Sequence, residues 1–175
     1  MDTHPFILVS DRSSTVESAV PEGFVRAPIG GAFALHNGPL YARWRDAKLE
    51  LGFRVEPLHV NPGQACHGGM LLMFADILIS TAAQYQADIP RQFLPTISLQ
   101  TDFLAPARLG SWVQGRTDIL RVTKRLVFSQ GLIEADGELV MRASGVFRRG
   151  PLLPDSASDD TLRLPGMPPK FAART

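Results

Sequence analysis

A single cysteine, Cys66, stands in the 175-residue chain, so no disulfide can form within it and a reducing compartment is the expected setting. Charge of one sign is also lacking: 18 Lys and Arg offset 17 Asp and Glu, and a net charge of +1 offers no global field to draw nucleic acid. Residues 108–149 do hold eight Lys/Arg against four Asp/Glu, a local excess that reads as a solvated sheet face. Long apolar runs are missing too. The longest, Met70–Ile79, is interrupted by Asp76 and is too short to span a bilayer, so no membrane partner is expected. The opening MDTHPFILVSDRSS has no basic stretch followed by a sustained apolar one, hence no secretory signal is read there and a cytoplasmic location is expected. No Gly-x-Ser-x-Gly elbow, P-loop or dinucleotide fingerprint occurs, which argues against serine hydrolases of the α/β type and against nucleotide enzymes. His59, Cys66, His67 and Asp76 could each ligate a metal, but their spacing matches no ligand pattern; neither a metal site nor a cofactor is expected. Cys66 reads as a small buried residue, because a nucleophilic thiol needs a base and a lowered pKa.

The chain does have an apolar content of 45%, enough for the core of one domain. Residues 1–22 are rich in Ser, Asp and Pro and read as a flexible arm. Residues 23–150 carry the domain, and 151–175, rich in Pro, Ser and Asp, read as an extended tail. Residues 21–38 suggest irregular structure against the core, with Asn37-Gly38 as a turn. Residues 40–55 have β-rich character, and Leu49, Leu51, Phe53 and Val55 alternate with Glu50, Gly52, Arg54 and Glu56, which predicts one strand with an apolar and a polar face. A loop at Pro57–Gly63 precedes a helix that starts near His67 or Gly69 and ends between Tyr85 and Asp88, ahead of Pro90. Because 70–79 are apolar on nearly every side, this helix should be surrounded by protein. Strands follow at 96–104, 112–120, 126–135 and 138–148, the last two joined by the hairpin signal Asp136-Gly137. Four such strands predict an antiparallel meander, with the strand before the helix as a fifth. The class is α+β, an antiparallel sheet wrapped around one long central buried helix, which is what a hotdog fold requires.

Two features of the helix carry chemistry. Gly68 and Gly69 leave its N-terminus free of side chains, so a carbonyl oxygen or phosphate can approach bare N–H groups at the positive end of the macrodipole. Asp76 is a carboxylate among Met73, Phe74, Ile77 and Leu78, and a charge withdrawn from water costs several kcal/mol unless compensated. Eight residues separate Gly68 from Asp76, roughly 12 Å along a helix axis. That is too far for one chain to use both on one carbonyl. If the two cooperate, two such helices pack antiparallel across a two-fold axis and give two identical sites per dimer.

Asn61, then His67-Gly68-Gly69, then Asp76, followed by TISLQTDFLAPA at 96–107 and Gly110, closely resembles the hotdog acyl-CoA thioesterases of the phenylacetic-acid-degradation (PaaI-like) type over roughly 38–149. The resemblance implies that the Gly68 N–H polarises a thioester carbonyl and that Asn61 helps orient carbonyl or water. Asp76 from the partner subunit would be general base or nucleophile, and Thr96 a hydroxyl that positions the water or the carboxylate. His67 is expected to fix the loop through its ring. For the phosphates of coenzyme A the available cations are Lys124 and Arg125, with Arg148 and Arg149 nearby, and Gly69 belongs to the same binding surface. The implied protein is a homodimer, and a homotetramer remains open. Phe53, Phe74, Phe93, Phe103 and Trp112 could line an acyl pocket or simply fill the core. Two alternatives stand beside hydrolysis: a hotdog hydratase or dehydratase, for which His59 would be the catalytic histidine, and a non-catalytic acyl-CoA-binding protein.

Overall fold

The computed structural model describes residues 20–153 and 162–168. Most of the arm expected at 1–22, and the tail at 154–161 and 169–175, lie outside the described residues. One helix, α2 (Gly68–Gln86), packs against a seven-stranded antiparallel sheet of order β1-β2-β3-β5-β6-β7-β4, with β1 at Val25–Arg26 and β2 at Tyr41–Arg45. The remaining strands are β3 (Lys48–Arg54), β4 (Thr96–Phe103), β5 (Trp112–Val122), β6 (Leu126–Ala135) and β7 (Glu138–Arg148). A short helix α1 (Gly31–His36) precedes β2, and a 3-10 turn, Pro57–His59, follows β3.

The helix buries Phe74, Ala75, Leu78, Ile79, Ala82 and Ala83 completely against the sheet. Its approach is close because β5 and β6 carry glycines beneath it: a Cβ on Gly115 would fall 2.5 Å from Leu78 Cδ2, and one on Gly131 3.2 Å from Ile79 Cγ1. By length and composition α2 could cross a bilayer, yet here it is the core helix of the fold, half buried inside the protein.

Several expectations change. The strand predicted before the helix is a hairpin, β2–β3, whose turn places Asp46 and Ala47 at φ 52° and 58°. Without a glycine, that turn left no strong local signal. The polar face of β3 is not solvated. Glu50 is 6% exposed and is held by Arg43 and Arg45, while Gly52 lies under the Trp112 ring, itself covered edge-on by Phe24. The four-strand meander is a three-strand one: β5, β6 and β7 are neighbours, but β4 crosses to pair with β7 and becomes the sheet edge. The reason is the 104–111 connection, which is held at the far end of the molecule by Cys66 N–H donating to the Ala107 carbonyl and Gly110 N–H donating to Val55. Finally, the described part of the Pro-rich tail is docked. Leu162 and Leu164 are buried in the core, and Leu162 N–H donates to the Tyr85 hydroxyl at 2.8 Å.

Candidate active site

At the start of α2, His67 is the N-cap: its Nδ1 accepts the Gly69 N–H at 2.9 Å. The histidine therefore acts on the helix end rather than on the loop, and Gly69 does not present a free donor. Glycine at 69 is what permits this, because a Cβ there would sit 3.2 Å from the His67 ring. Gly68 is the first helical residue, so its N–H has no intrahelical acceptor, and it meets no other partner among the described residues. The vacant side of Gly68 faces the Phe103 ring, 3.3 Å from where a Cβ would stand. The entrance thus offers one open donor, where a fully bare helix end is expected from the two glycines.

The loop before the helix is tied down throughout. Asn61 Oδ1 accepts from Gly63 N–H at 2.9 Å and from Ala65 N–H at 3.4 Å, which closes the turn through an Asx geometry. Its amide nitrogen remains the available group. His59 is 3% exposed and spends both ring nitrogens on backbone: Nδ1 accepts from Glu56 N–H at 3.0 Å, so Nε2 carries the proton and donates to the Asn37 carbonyl at 2.8 Å. Burial pushes its pKa below the usual 6.5, against smaller opposing contributions from the Asn37 carbonyl, the Glu56 charge and the Arg54 backbone. Burial likewise pushes the Cys66 thiol up to about 12, which keeps it protonated and unreactive.

Two turns along α2, Asp76 is half buried, on a stripe with Leu72, Met73 and Ser80 that the sheet leaves uncovered. The helix is consequently not surrounded within one chain, and Asp76 is not sunk in the core. Asp76 Oδ1 accepts a 2.7 Å hydrogen bond from Thr96 Oγ1, at the start of β4. A bulge between Thr96 and Ser98 aims Thr96 at the helix. Lys124 and Arg125 are exposed on the β5–β6 turn, where Arg149 N–H donates to the Arg125 carbonyl at 2.8 Å and an Arg149 guanidinium N–H donates to the Thr123 carbonyl at 3.1 Å. Since Arg148 N–H donates to Pro95, these cations stand at the Thr96 end of the sheet, away from their own Gly68. The structure therefore gathers the sequence-derived residues into two groups: Asn61, His67, Gly68 and Gly69 at the entrance, and Asp76, Thr96, Lys124 and Arg125 at the other.

A cleft of about 320 Å³, lined by both apolar and polar residues, opens beside the entrance, between α1, the 3-10 turn and the first turns of α2. Phe33 and Leu58 form its outer walls and Met70 and Met73 its floor. None of the five aromatics considered from sequence lines it. Phe53 and Phe74 are core residues with ring centroids 5.0 Å apart, and Trp112 packs on the outer sheet face. Phe93 and Phe103 are exposed near the β4 edge. No local pattern announces the cleft, because Phe33 and Leu58 meet α2 only through tertiary folding.

A sequence model of the thioesterase superfamily matches residues 63–141, which span Gly68, Asp76 and Thr96. A Pseudomonas aeruginosa protein named "Putative esterase PA0474" is 33% identical over 132 residues, 73% of this chain and 96% of that protein. Among solved structures, the E. coli PaaI protein of the phenylacetic acid degradation operon superposes with TM-score 0.56 at 20% identity, over 63% of this chain and 82% of its own. A Streptococcus pneumoniae protein described as a "Hypothetical Thioesterase Protein" and solved with coenzyme A gives 0.57 at 16%, over 65% and 88%. These structures share the fold, and the sequence matches extend across the segment that builds both residue groups. The chain belongs to the thioesterase superfamily of hotdog proteins.

Proposed function

We propose that this protein is a cytoplasmic acyl-CoA thioesterase that works as a homodimer, each site combining the helix entrance of one subunit with Asp76 and Thr96 of the other. The observation that carries this reading is the Thr96–Asp76 hydrogen bond on the open stripe of α2, roughly two turns from an unpaired Gly68 N–H on the same helix. A two-fold axis across that stripe brings each half beside its complement. The surroundings support the same contact. β4 has a strand partner on one side only, and Leu72, Ile97, Phe103 and Leu104 are exposed apolar residues around the edge and the stripe.

In this arrangement the thioester carbonyl oxygen accepts from Gly68 N–H of one subunit at the positive end of its helix, which draws electron density off the carbonyl carbon. Asp76 of the partner takes a proton from a water as the water oxygen attacks that carbon. Thr96 occupies Oδ1 and leaves Oδ2 for the water. The tetrahedral oxyanion is held by the same N–H; its collapse breaks the C–S bond, and the proton that Asp76 took from water passes to the departing thiolate, giving free acid, thiol and the Asp76 carboxylate. Asn61 Nδ2 is the donor left to orient carbonyl or water, while Lys124 and Arg125, beside the carboxylate half, offer cations to the phosphates of coenzyme A. Coenzyme A in the S. pneumoniae relative of this fold supports a CoA thioester as the substrate class. The hydratase alternative loses its candidate, since both His59 ring nitrogens are bonded to backbone.

The test is release of free thiol from a panel of acyl-CoAs. Wild type turns over and Asp76→Asn does not. Mixing Asp76→Asn with a variant blocked at the entrance, Gly68→Val, restores roughly a quarter of wild-type activity if sites are shared between subunits. Activity in a monomer, or no recovery on mixing, refutes the shared site, and acyl-CoA binding without turnover assigns the protein to carriage instead of hydrolysis.

A further inference from the structure

We infer that the cleft between α1 and α2 is the acyl pocket, and that it selects uncharged apolar acyl groups on the order of six to twelve carbons. This rests on the thioesterase reading for the position of the carbonyl. His67 and Gly69 line the cleft and flank Gly68 in the chain, which puts the cleft beside a carbonyl held on the Gly68 N–H. The walls suit an acyl substituent. Phe33, Leu58, Met70 and Met73 are apolar, and the methionines supply adaptable surface.

Most polar groups of the cleft are already committed, with His67 Nε2 left as the remaining ring donor. His59 bonds Asn37 and Glu56, Asn37 Nδ2 donates to the Phe33 carbonyl, and His67 Nδ1 caps the helix. No Lys, Arg, Asp or Glu lines the cleft, so no fixed cation there compensates a carboxylate at the far end of an acyl chain. Size sets the length. A volume of about 320 Å³ lies at the small end of ligand sites, far below what a whole CoA ester needs, and is roughly twice the ~150 Å³ cavity that takes up benzene.

Phe33, Asn37, Leu58 and His59 precede residues 63–141, the segment matched to the superfamily. The selective walls are therefore contributed by the part of the chain that the superfamily pattern does not describe. Phe33 and Leu58 are 69% and 59% exposed, so each can be changed without disturbing the core.

The experiment measures binding and turnover separately. Non-hydrolysable thioether analogues of acyl-CoA carrying two, four, eight and twelve carbons, plus an eight-carbon analogue ending in a carboxylate, are titrated calorimetrically into the full-length protein. Affinity is expected to rise at least tenfold from two to eight carbons and to lose that gain with the terminal carboxylate. The double variant Phe33→Trp/Leu58→Trp should reduce the eight-to-two-carbon ratio to below threefold, and Phe33→Ala should move the optimum to longer chains. An unchanged ratio in the double variant, or equal binding of the carboxylated analogue, overturns the proposal. If wild type shows the chain-length gain yet releases no thiol from any ester, the thioesterase reading fails and the acyl pocket stands. Turnover without chain-length dependence in binding leaves hydrolysis standing and removes the pocket.

Discussion

The two halves of the proposed site are built by opposite means. The entrance half is made of backbone: its donor is an N–H, and a run of hydrogen bonds through His59, Asn61, His67 and Cys66 holds the loop that presents it. The carboxylate half is made of side chains, one carboxylate aimed by one hydroxyl on a stripe that a single chain leaves open. A donor that cannot rotate depends on its loop, because its direction is fixed only when the loop is. A carboxylate on a rigid helix needs only its rotamer chosen. Changes at the entrance should therefore appear first as lost stability, and changes at Asp76 and Thr96 as lost rate in an intact fold.

The largest expected effect tests the side-chain half. Asp76→Asn removes the proposed base and should lower thiol release by about 10²–10⁴-fold with an unaltered circular dichroism spectrum and urea midpoint. Loss of folding together with activity would erase the contrast. Next comes the entrance: His59→Ala leaves the Asn37 carbonyl and Glu56 N–H without their partner and opens a hole, and should cost about 2–4 kcal/mol in urea unfolding.

His59 also carries a pH signature. Its folded pKa lies below the ordinary 6.5, so the unfolded chain binds the proton more readily, and stability should be full above pH 6.5 and fall as the pH drops through it toward the folded value. Urea midpoints between pH 8 and pH 5 should show this decline in wild type and a flatter curve in His59→Gln.

Thr96→Val should then reduce kcat about tenfold through a misdirected carboxylate, and Thr96→Ser should restore most of it; equal losses in both would point to packing instead of the hydroxyl. The smallest effect is the cap. His67→Ala should cost about 1 kcal/mol of stability, read as a lowered Tm, because it frees the Gly69 N–H.

Legibility from sequence followed the range of the interactions. The helix from Gly68 to Gln86 and the strands β4 to β7 were readable because a 3.6-residue or two-residue pattern and short turns are local. At Asp136-Gly137 both residues have positive φ, the conformation that the pair favours. The β2–β3 turn at Asp46-Ala47 has the same kind of backbone but lacks a glycine to announce it. Partners across long separations were not readable. β4 could not be assigned to β7, nor Leu162 and Leu164 to the core, because nothing in either segment names its distant neighbour.

What the sequence determined by itself was the chemistry available along one helix: an N-terminus flanked by glycines, a carboxylate eight residues on, and a spacing that no single chain can close. What only the tertiary structure decided was how those groups are spent. The helix cap claims Gly69, backbone claims His59, a hydroxyl twenty residues away claims Asp76, and Phe33 arrives from another element to wall the cleft. Helical spacing is a local property of the backbone, 1.5 Å per residue once the helix forms, so it can be read directly from the chain. Which polar groups satisfy one another depends on packing that brings distant segments within about 3 Å, and that is settled only when the sheet closes on the helix.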